Sequence, residues 1–324
     1  MPNAGPAPIE VSAEVRRALD AGHPVVALET AVLTHGLPRT PMSRPCELAA
    51  WDESLPANLA LSLLLDATVR ASGAVPATVG MLDGTLHVGL DRAQLERLGR
   101  DERARKLSKR DLGAACAQRA SGGTTVAATL AACTAAGIRV FATGGIGGVH
   151  RGFAERPDVS ADLHAIRDTP TLVVTAGAKS ILDLPATVEM LDTLGVPLVG
   201  LGTPYFPRFL CAGTAELRVS EQARDERDAA ALFAVHREMR DHCGMLLCVP
   251  PLARFALEPE IMESAIRAGL EECSRIGAHG PDVTPVLLAA VAKTTGGASL
   301  ATNLAVLIHN ARVGARVARA LEST

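Results

Sequence analysis

The chain has 324 residues, 48% of them hydrophobic and only 2% aromatic, and its mean hydropathy is +0.21. That fits one large α/β domain whose core is Ala, Val, Leu and Ile, the composition of helices packed on a parallel sheet. A net charge of −3 and so few aromatic rings supply neither the basic footprint nor the stacking platform of a nucleic-acid binder.

Residues 1–10 read as a loose, proline-rich lead without the basic flank and apolar run of a signal peptide. Residues 12–21 predict a helix capped by Ser12 and closed by Gly22. Pro24 to Leu28 reads as a short buried strand ending at Glu29. Residues 39–55 hold two prolines, the only tryptophan and mixed charge, and read as an inserted loop. A helical pattern returns over 59–72. Ala77–Leu82, an Asp83-Gly84 turn and Thr85–Gly89 predict a β-hairpin, and Asp91 with Gln94 a capping box. Helix 124–136 then leads to strand 138–143 and the glycine-rich run 144–152. Strand 171–175 leads to Lys179 and a helix near 184–194, and a third strand spans 197–201. Helices at 257–275 and 301–321 close the chain. No apolar stretch approaches bilayer length. Seven scattered cysteines with no CxxC pair imply reduced thiols in a cytoplasmic protein. With no fixed-period repeat and no linker, the expected fold is a single three-layer α/β/α domain over residues 1–324, with a mostly parallel central sheet.

Lys179 stands in a small, nearly apolar setting (AGAKSI) at a strand's end and a helix's start. Desolvation and the helix dipole both disfavour its charge there, as a nucleophilic amine requires. A phosphate-binding or surface lysine is the more ordinary reading of so short a segment. Glu29, directly after a buried run, suits either a proton donor with a raised pKa or a structural acid in an ion pair. The run 144–152 has neither the dinucleotide fingerprint nor a P-loop, which excludes a nucleotide triphosphatase, but its glycines let backbone amides approach an anion. Asp158-x-Ser160-x-Asp162 suits a water-rich divalent cation or, alternatively, a helix cap. The run Lys106 to Asp111, with Ser108 as a plausible cap, suits a phosphate or a solvated helix end. Cys116 and Cys133 fall in alanine-rich helices and read as packing residues.

In combination these segments resemble the pseudouridine-5′-phosphate glycosidase family over roughly residues 12–320. The blocks are VVALETAVLTHGLP (25–38), GAVPATVG (73–80), KLSKRDL (106–112), GGTTVAAT (122–129), GIRVFATGGIGGVHRG (137–152), DVSADL (158–163), the stretch 175–200 around Lys179, and TGGASLATNLAVLIHNA (295–311). The resemblance implies a homotrimer with bound manganese, or magnesium, that reversibly cleaves the C–C bond between C1′ of ribose 5-phosphate and C5 of uracil. It implies Lys179 as nucleophile, Glu29 as proton donor and Asp158 as metal ligand. It also implies substrate contacts from Lys106, Val126, Ser160, Ala161, Asp162, His150 and Asn303. The chemistry agrees: a C-glycoside has no heteroatom leaving group, so the sugar ring must open. That needs an acid at the ring oxygen and an amine to hold C1′ as an iminium.

Three departures bear on the base. The insert 39–55 separates Pro38 from Pro56-Ala57-Asn58, Ala31 replaces a usual hydroxyl residue, and residues 202–218 diverge. They make a synthase of C-nucleoside phosphates or C-ribosylated aromatics the alternative.

Overall fold

The computed structural model describes residues 9–44, 50–240, 242–278 and 283–322. The lead over residues 1–8 and residues 45–49 of the insert, with Cys46, lie outside the described residues.

In chain order the first third comprises β1 (Ile9–Val11), α1 (Ala13–Asp20), β2 (Val25–Leu28), α2 (Ala31–His35), α3 (Ala57–Ala71), β3 (Val75–Leu82), β4 (Thr85–Val88) and α4 (Arg92–Arg100). The middle comprises β5 (Arg105–Leu107), α5 (Leu112–Ala117), β6 (Gly122–Thr124), α6 (Val126–Ala136), β7 (Val140–Ala142), α7 (Ala161–Arg167), β8 (Leu172–Thr175), α8 (Leu184–Thr193) and β9 (Leu198–Leu201). The last third comprises β10 (Glu221–Ala223), α9 (Glu226–Met239), β11 (Met245–Cys248), α10 (Pro259–Ile276), α11 (Val283–Thr294) and α12 (Ala298–Ala320).

The strands form one sheet in the order β1-β4-β3-β2-β7-β8-β11-β9-β10, with β6 bridging β3 and β5. Every pairing is parallel except those of β3 with β4 and with β6. Strand alternation sorts the apolar residues to two faces. Val25, Ala27, Phe141, Val173 and Leu246 pack with α1, α6, α7, α8 and α10. Val26, Leu28, Val140, Val174 and Leu247 pack with α3, α9 and α12. The three-layer, mostly parallel expectation is met. The aliphatic core is met too, with three of the six phenylalanines, Phe141, Phe206 and Phe233, filling fully buried places.

Local signals translate directly. The Ser12 hydroxyl accepts from Val15 N at 3.3 Å, and Asp91 and Gln94 exchange both bonds of a capping box. Asp83 (φ 49°) and Gly84 (φ 82°) make the left-handed hairpin turn. The ends of the 39–55 insert close on each other: Asn58 N donates to Pro38 O, Ala57 N donates to Thr40 O, and buried Trp51 donates to Met42 O. Two expectations change. Ile9–Val11 is an edge strand beside β4 rather than loose lead. Lys106 lies on β5 rather than at a helix start, with Ser108 opening a 3-10 turn at Lys109–Asp111 before α5. Three-residue strands such as these are held by their neighbours' ladders and leave little periodicity to read. The six described cysteines are all free, with Cys133 fully buried in α6.

Candidate active site

β2, β7 and β8 are adjacent and parallel, so their C-terminal ends share one edge of the sheet. Glu29 follows β2, Thr143 follows β7, and the lysine loop Ala176–Ser180 follows β8. Ligand sites of parallel sheets form at this edge. The glycine-rich run and the lysine loop lock together there: Ile146 N donates to Gly177 O, and Lys179 N donates to Ile146 O, each at 3.0 Å.

The side chains meet in the same place. Burial raises the Glu29 carboxyl above the usual range, against the opposing pull of Lys179, a hydrogen bond donated by the Thr143 hydroxyl, and Lys106; Asp162 adds to the rise. Burial also lowers the Lys106 ammonium, with repulsion from Lys179 next, while Glu29 and Asp162 favour its charge. Glu29, Lys106, Asp162 and Lys179 thus act on one another across one small volume, two cations facing two acids. A protonatable acid and an amine in mutual reach are the equipment of covalent amine catalysis. Thr143 is itself held, since Asn310 of α12 donates to Thr143 O at 2.7 Å and to Gly144 O at 3.4 Å.

Buried Asp162 accepts from Ala127 N at 3.0 Å and Gly147 N at 2.8 Å, tying the start of α6 to the glycine-rich run. Ser160 caps α7 by accepting from Asp162 N, and Ala161 is the first helical residue. Val126 opens α6 on the neighbouring wall, where Thr125 N donates to Leu107 O beside Lys106. The Thr125 hydroxyl is buried with no hydrogen-bond partner among the described residues.

The glycine-rich run departs from the anion cradle expected of it. The amides of Ile146, Gly147, Val149 and His150 donate to Gly177 O, Asp162 Oδ2, Thr187 Oγ1 and Asp158 O. Its glycines serve close packing: a Cβ on Gly147 would lie 2.2 Å from Ser160 Oγ, and one on Gly148 2.4 Å from Thr187 Oγ1. The acidic triplet also separates, because the Asp162 carboxylate is spent on amides while Asp158 faces solvent. No cluster of three or more His, Cys, Asp or Glu suited to a metal occurs among the described residues. His150 Nδ1 lies 3.9 Å from Asp158 Oδ2, whose side chain is 47% exposed. The helix-dipole part of the Lys179 expectation falls as well: α8 begins at Leu184, capped by Asp183, which leaves Lys179 in a turn ahead of the helix.

Asn303 lies on α12 one turn before Leu307, the side chain that packs on Gly144, and two turns before Asn310. Its amide makes no hydrogen bond among the described residues and is free for a ligand. The diverging segment covers the site. Phe209, in the left-handed region at φ 62°, donates its amide to Ala176 O and lays its ring on Gly145; Pro207 O presses on Gly177. Thr143, Asn310 and Thr125 are site residues that sequence reasoning missed. Their only signal is position, after a strand or before a helix.

A family described as Indigoidine synthase A like protein matches residues 14–320. A pseudouridine-5′-phosphate glycosidase of Chloroflexus aurantiacus is 49% identical over 314 residues, which cover 96% of this chain and 97% of that one. One of Myxococcus xanthus is 44% identical over 96% of this chain and 97% of its own. The prealnumycin C-glycosynthase AlnA, solved with ribulose 5-phosphate, superposes with a TM-score of 0.86 at 35% identity, over 98% of each chain. An indigoidine synthase A-like protein of Thermotoga maritima superposes at 0.81 with 31% identity, over 97% of this chain and 96% of that one.

Proposed function

The chain belongs to the family of Indigoidine synthase A like proteins, and on that premise we propose that it is a C-glycosidase acting on pseudouridine 5′-phosphate. It cleaves, or in reverse forms, the bond between C1′ of ribose 5-phosphate and a carbon of the base. The observation that carries this is the meeting of Glu29, raised by burial toward its protonated form, with Lys179 across the ends of β2 and β8, the two strands that flank β7.

The residues divide the work as follows. Protonated Glu29 gives its proton to the ring oxygen as the C1′–O bond opens, and the Lys179 Nζ bonds to C1′ through its lone pair. Nζ gives up one of its protons and the base carbon takes one up; the C1′–C bond pair passes into the base ring as the Nζ lone pair closes on C1′, which becomes the iminium carbon. Water then releases ribose 5-phosphate and restores the amine. Lys106, the unpartnered Thr125 hydroxyl and the start of α6 at Val126 supply the phosphate end. Ser160, Ala161 and Asp162 frame the ribose, and His150 and Asn303 lie toward the opening.

Asp158, exposed and beside His150, fits a hard divalent cation that keeps most of its water shell, manganese or magnesium. Such an ion would order water and negative charge near the phosphate. We further propose a homotrimer in the cytoplasm, the former read by sedimentation velocity. No helix among the described residues is long and apolar enough to cross a membrane.

Incubation with ribose 5-phosphate and borohydride, followed by mass spectrometry, tests the chemistry. A sugar-phosphate adduct is expected on the intact chain and not on Lys179→Ala. Its absence from both overturns the iminium assignment. A second reading, C-ribosyl synthesis on another carbon nucleophile, is favoured by the likeness to the C-glycosynthase and by the Phe209 segment over the lysine loop. Product formation from ribose 5-phosphate with uracil, against phenolic and other aromatic acceptors, separates the two.

A further inference from the structure

A second charged cavity lies away from these strand ends, on the opposite face of α12 from Asn310. Between α3, α12 and the loop that follows β11 runs an open groove of about 660 Å³. His309, Arg312, Arg316 and Arg319 recur at helical spacing along one face of α12, and Arg254 approaches from the loop. No carboxylate lines the groove among the described residues; Glu226, outside it, pairs with Arg316 at 3.2 Å and also acts on His309. Among the described residues neither Arg312 nor Arg319 has an ion pair. Like charges at this spacing repel, so the stripe costs the helix stability unless an anion lies across it.

Two independent features point the same way. The His309 Nδ1 atom is buried and has no hydrogen-bond partner among the described residues. Its imidazole is held below its usual range by burial first and then by Arg312 and Arg316. The floor is apolar, made by Leu64 of α3 and Ile308 of α12, with the Phe255 ring lying under Arg254 at 4.8 Å. Arginine forks match phosphate oxygens two at a time. From Arg312 to Arg319 is about 10 Å along the helix axis, and the volume suits a small molecule rather than a protein segment.

We propose that this groove is a second anion site that binds an organic phosphate monoester, its phosphate on Arg312 and Arg319 and its apolar body on Leu64, Ile308 and Phe255. The site is separate from the catalytic centre and does not depend on Lys179.

Calorimetric titration of phenyl phosphate into three proteins tests it: the intact chain, Lys179→Ala, and the double variant Arg312→Ala with Arg319→Ala. Both arginines are exposed, so the double variant is expected to fold, and circular dichroism verifies this. The expected result is binding that Lys179→Ala keeps and that the arginine variant weakens ten-fold or more. Inorganic phosphate should bind more weakly than phenyl phosphate, since it leaves the floor bare. No detectable binding at millimolar phenyl phosphate, or equal binding by the arginine variant, overturns the proposal. So does binding lost only with Lys179. An arginine variant whose oligomeric state changes while its phosphate binding does not would assign the groove to a face between copies instead.

Discussion

The Glu29 assignment stands or falls on Thr143→Val. Thr143 is buried, its hydroxyl donates to Glu29, and valine has nearly its shape, so the variant removes one donor and little else. A hydrogen bond to a charged group contributes about 1.5–3 kcal/mol, and about 1.4 kcal/mol is ten-fold in proton affinity. Losing that donor disfavours the carboxylate, adds to the rise that burial already imposes, and makes Glu29 hold its proton ten-fold or more tightly. An acid must be protonated to act, so turnover falls as pH rises through its pKa. The basic limb of the kcat profile for pseudouridine 5′-phosphate cleavage should therefore move to higher pH in Thr143→Val by about one pH unit or more. In Thr143→Ser it should stay in place. A limb that stays put in Thr143→Val, or moves to lower pH, would refute Glu29 as the proton-bearing group.

Asp66, half-buried on α3 and accepting from the Thr78 hydroxyl at 2.8 Å, is pushed up to about 6 by desolvation. Between the ordinary Asp value and that one, the folded chain keeps a proton that the unfolded chain has lost, so stability falls as pH rises through about 6. Two units correspond to about 3 kcal/mol; urea unfolding across pH should show that decline in the wild type and not in Asp66→Asn. Gly177→Ala should cost several kcal/mol, because a Cβ there meets Pro207 O at 2.1 Å and the residue sits at φ +84°. Gly137→Ala, at φ +78° with open space, should cost only the roughly 1–2 kcal/mol of a left-handed backbone, as the same unfolding assay reads. Chelation should lower turnover, and Asp158→Asn should weaken calorimetric Mn²⁺ binding ten-fold or more without changing the unfolding midpoint.

Much of the fold was legible because its signals are local. Ser12, Asp91 and the Asp83-Gly84 turn act within four residues, and β2, β7 and β8 read as short apolar runs closed by polar loops. Glu29 and Lys179 were legible for the same reason, each standing just beyond such a run. Val126 and Asn303 came from resemblance, and nothing in their neighbours marks them; Asp158 was marked by the Asp158-x-Ser160-x-Asp162 spacing, which suits a cation or a helix cap alike. What stayed hidden depends on partners far along the chain. Thr143 meets Glu29 across 114 positions, and Asn310 meets Thr143 across 167. The glycine-rich run shows the same limit. Its glycines suit an anion cradle and a packing hinge equally, and only Asp162 and Thr187, folded onto its amides, decide between them.

This division bears on how one scaffold serves more than one base. Glu29, Thr143 and Lys179 sit on loops anchored to central parallel strands, and their contacts are with backbone and with one another. In the proposed reaction their work is at the sugar, opening the ring and attacking C1′, and the base enters only as the carbon that leaves or adds. The proposed reaction puts the base against the cover over the strand ends. That cover is the Tyr205–Cys211 segment laid on Gly145 and Gly177, with half-buried Asn303 on α12 one turn before Leu307. Its contacts to the strand-end loops include the Phe209 amide on Ala176 O, Pro207 O against Gly177, the Phe209 ring on Gly145 and the Ser180 hydroxyl, which donates to Arg208 O at 2.6 Å. Substitutions there exchange the partner of C1′ while leaving the acid and amine in place. Replacing Phe209 with alanine should therefore change the acceptor preference while the Lys179 adduct with ribose 5-phosphate forms at an unchanged rate, and loss of the adduct itself would show that the cover and the covalent step are not separable.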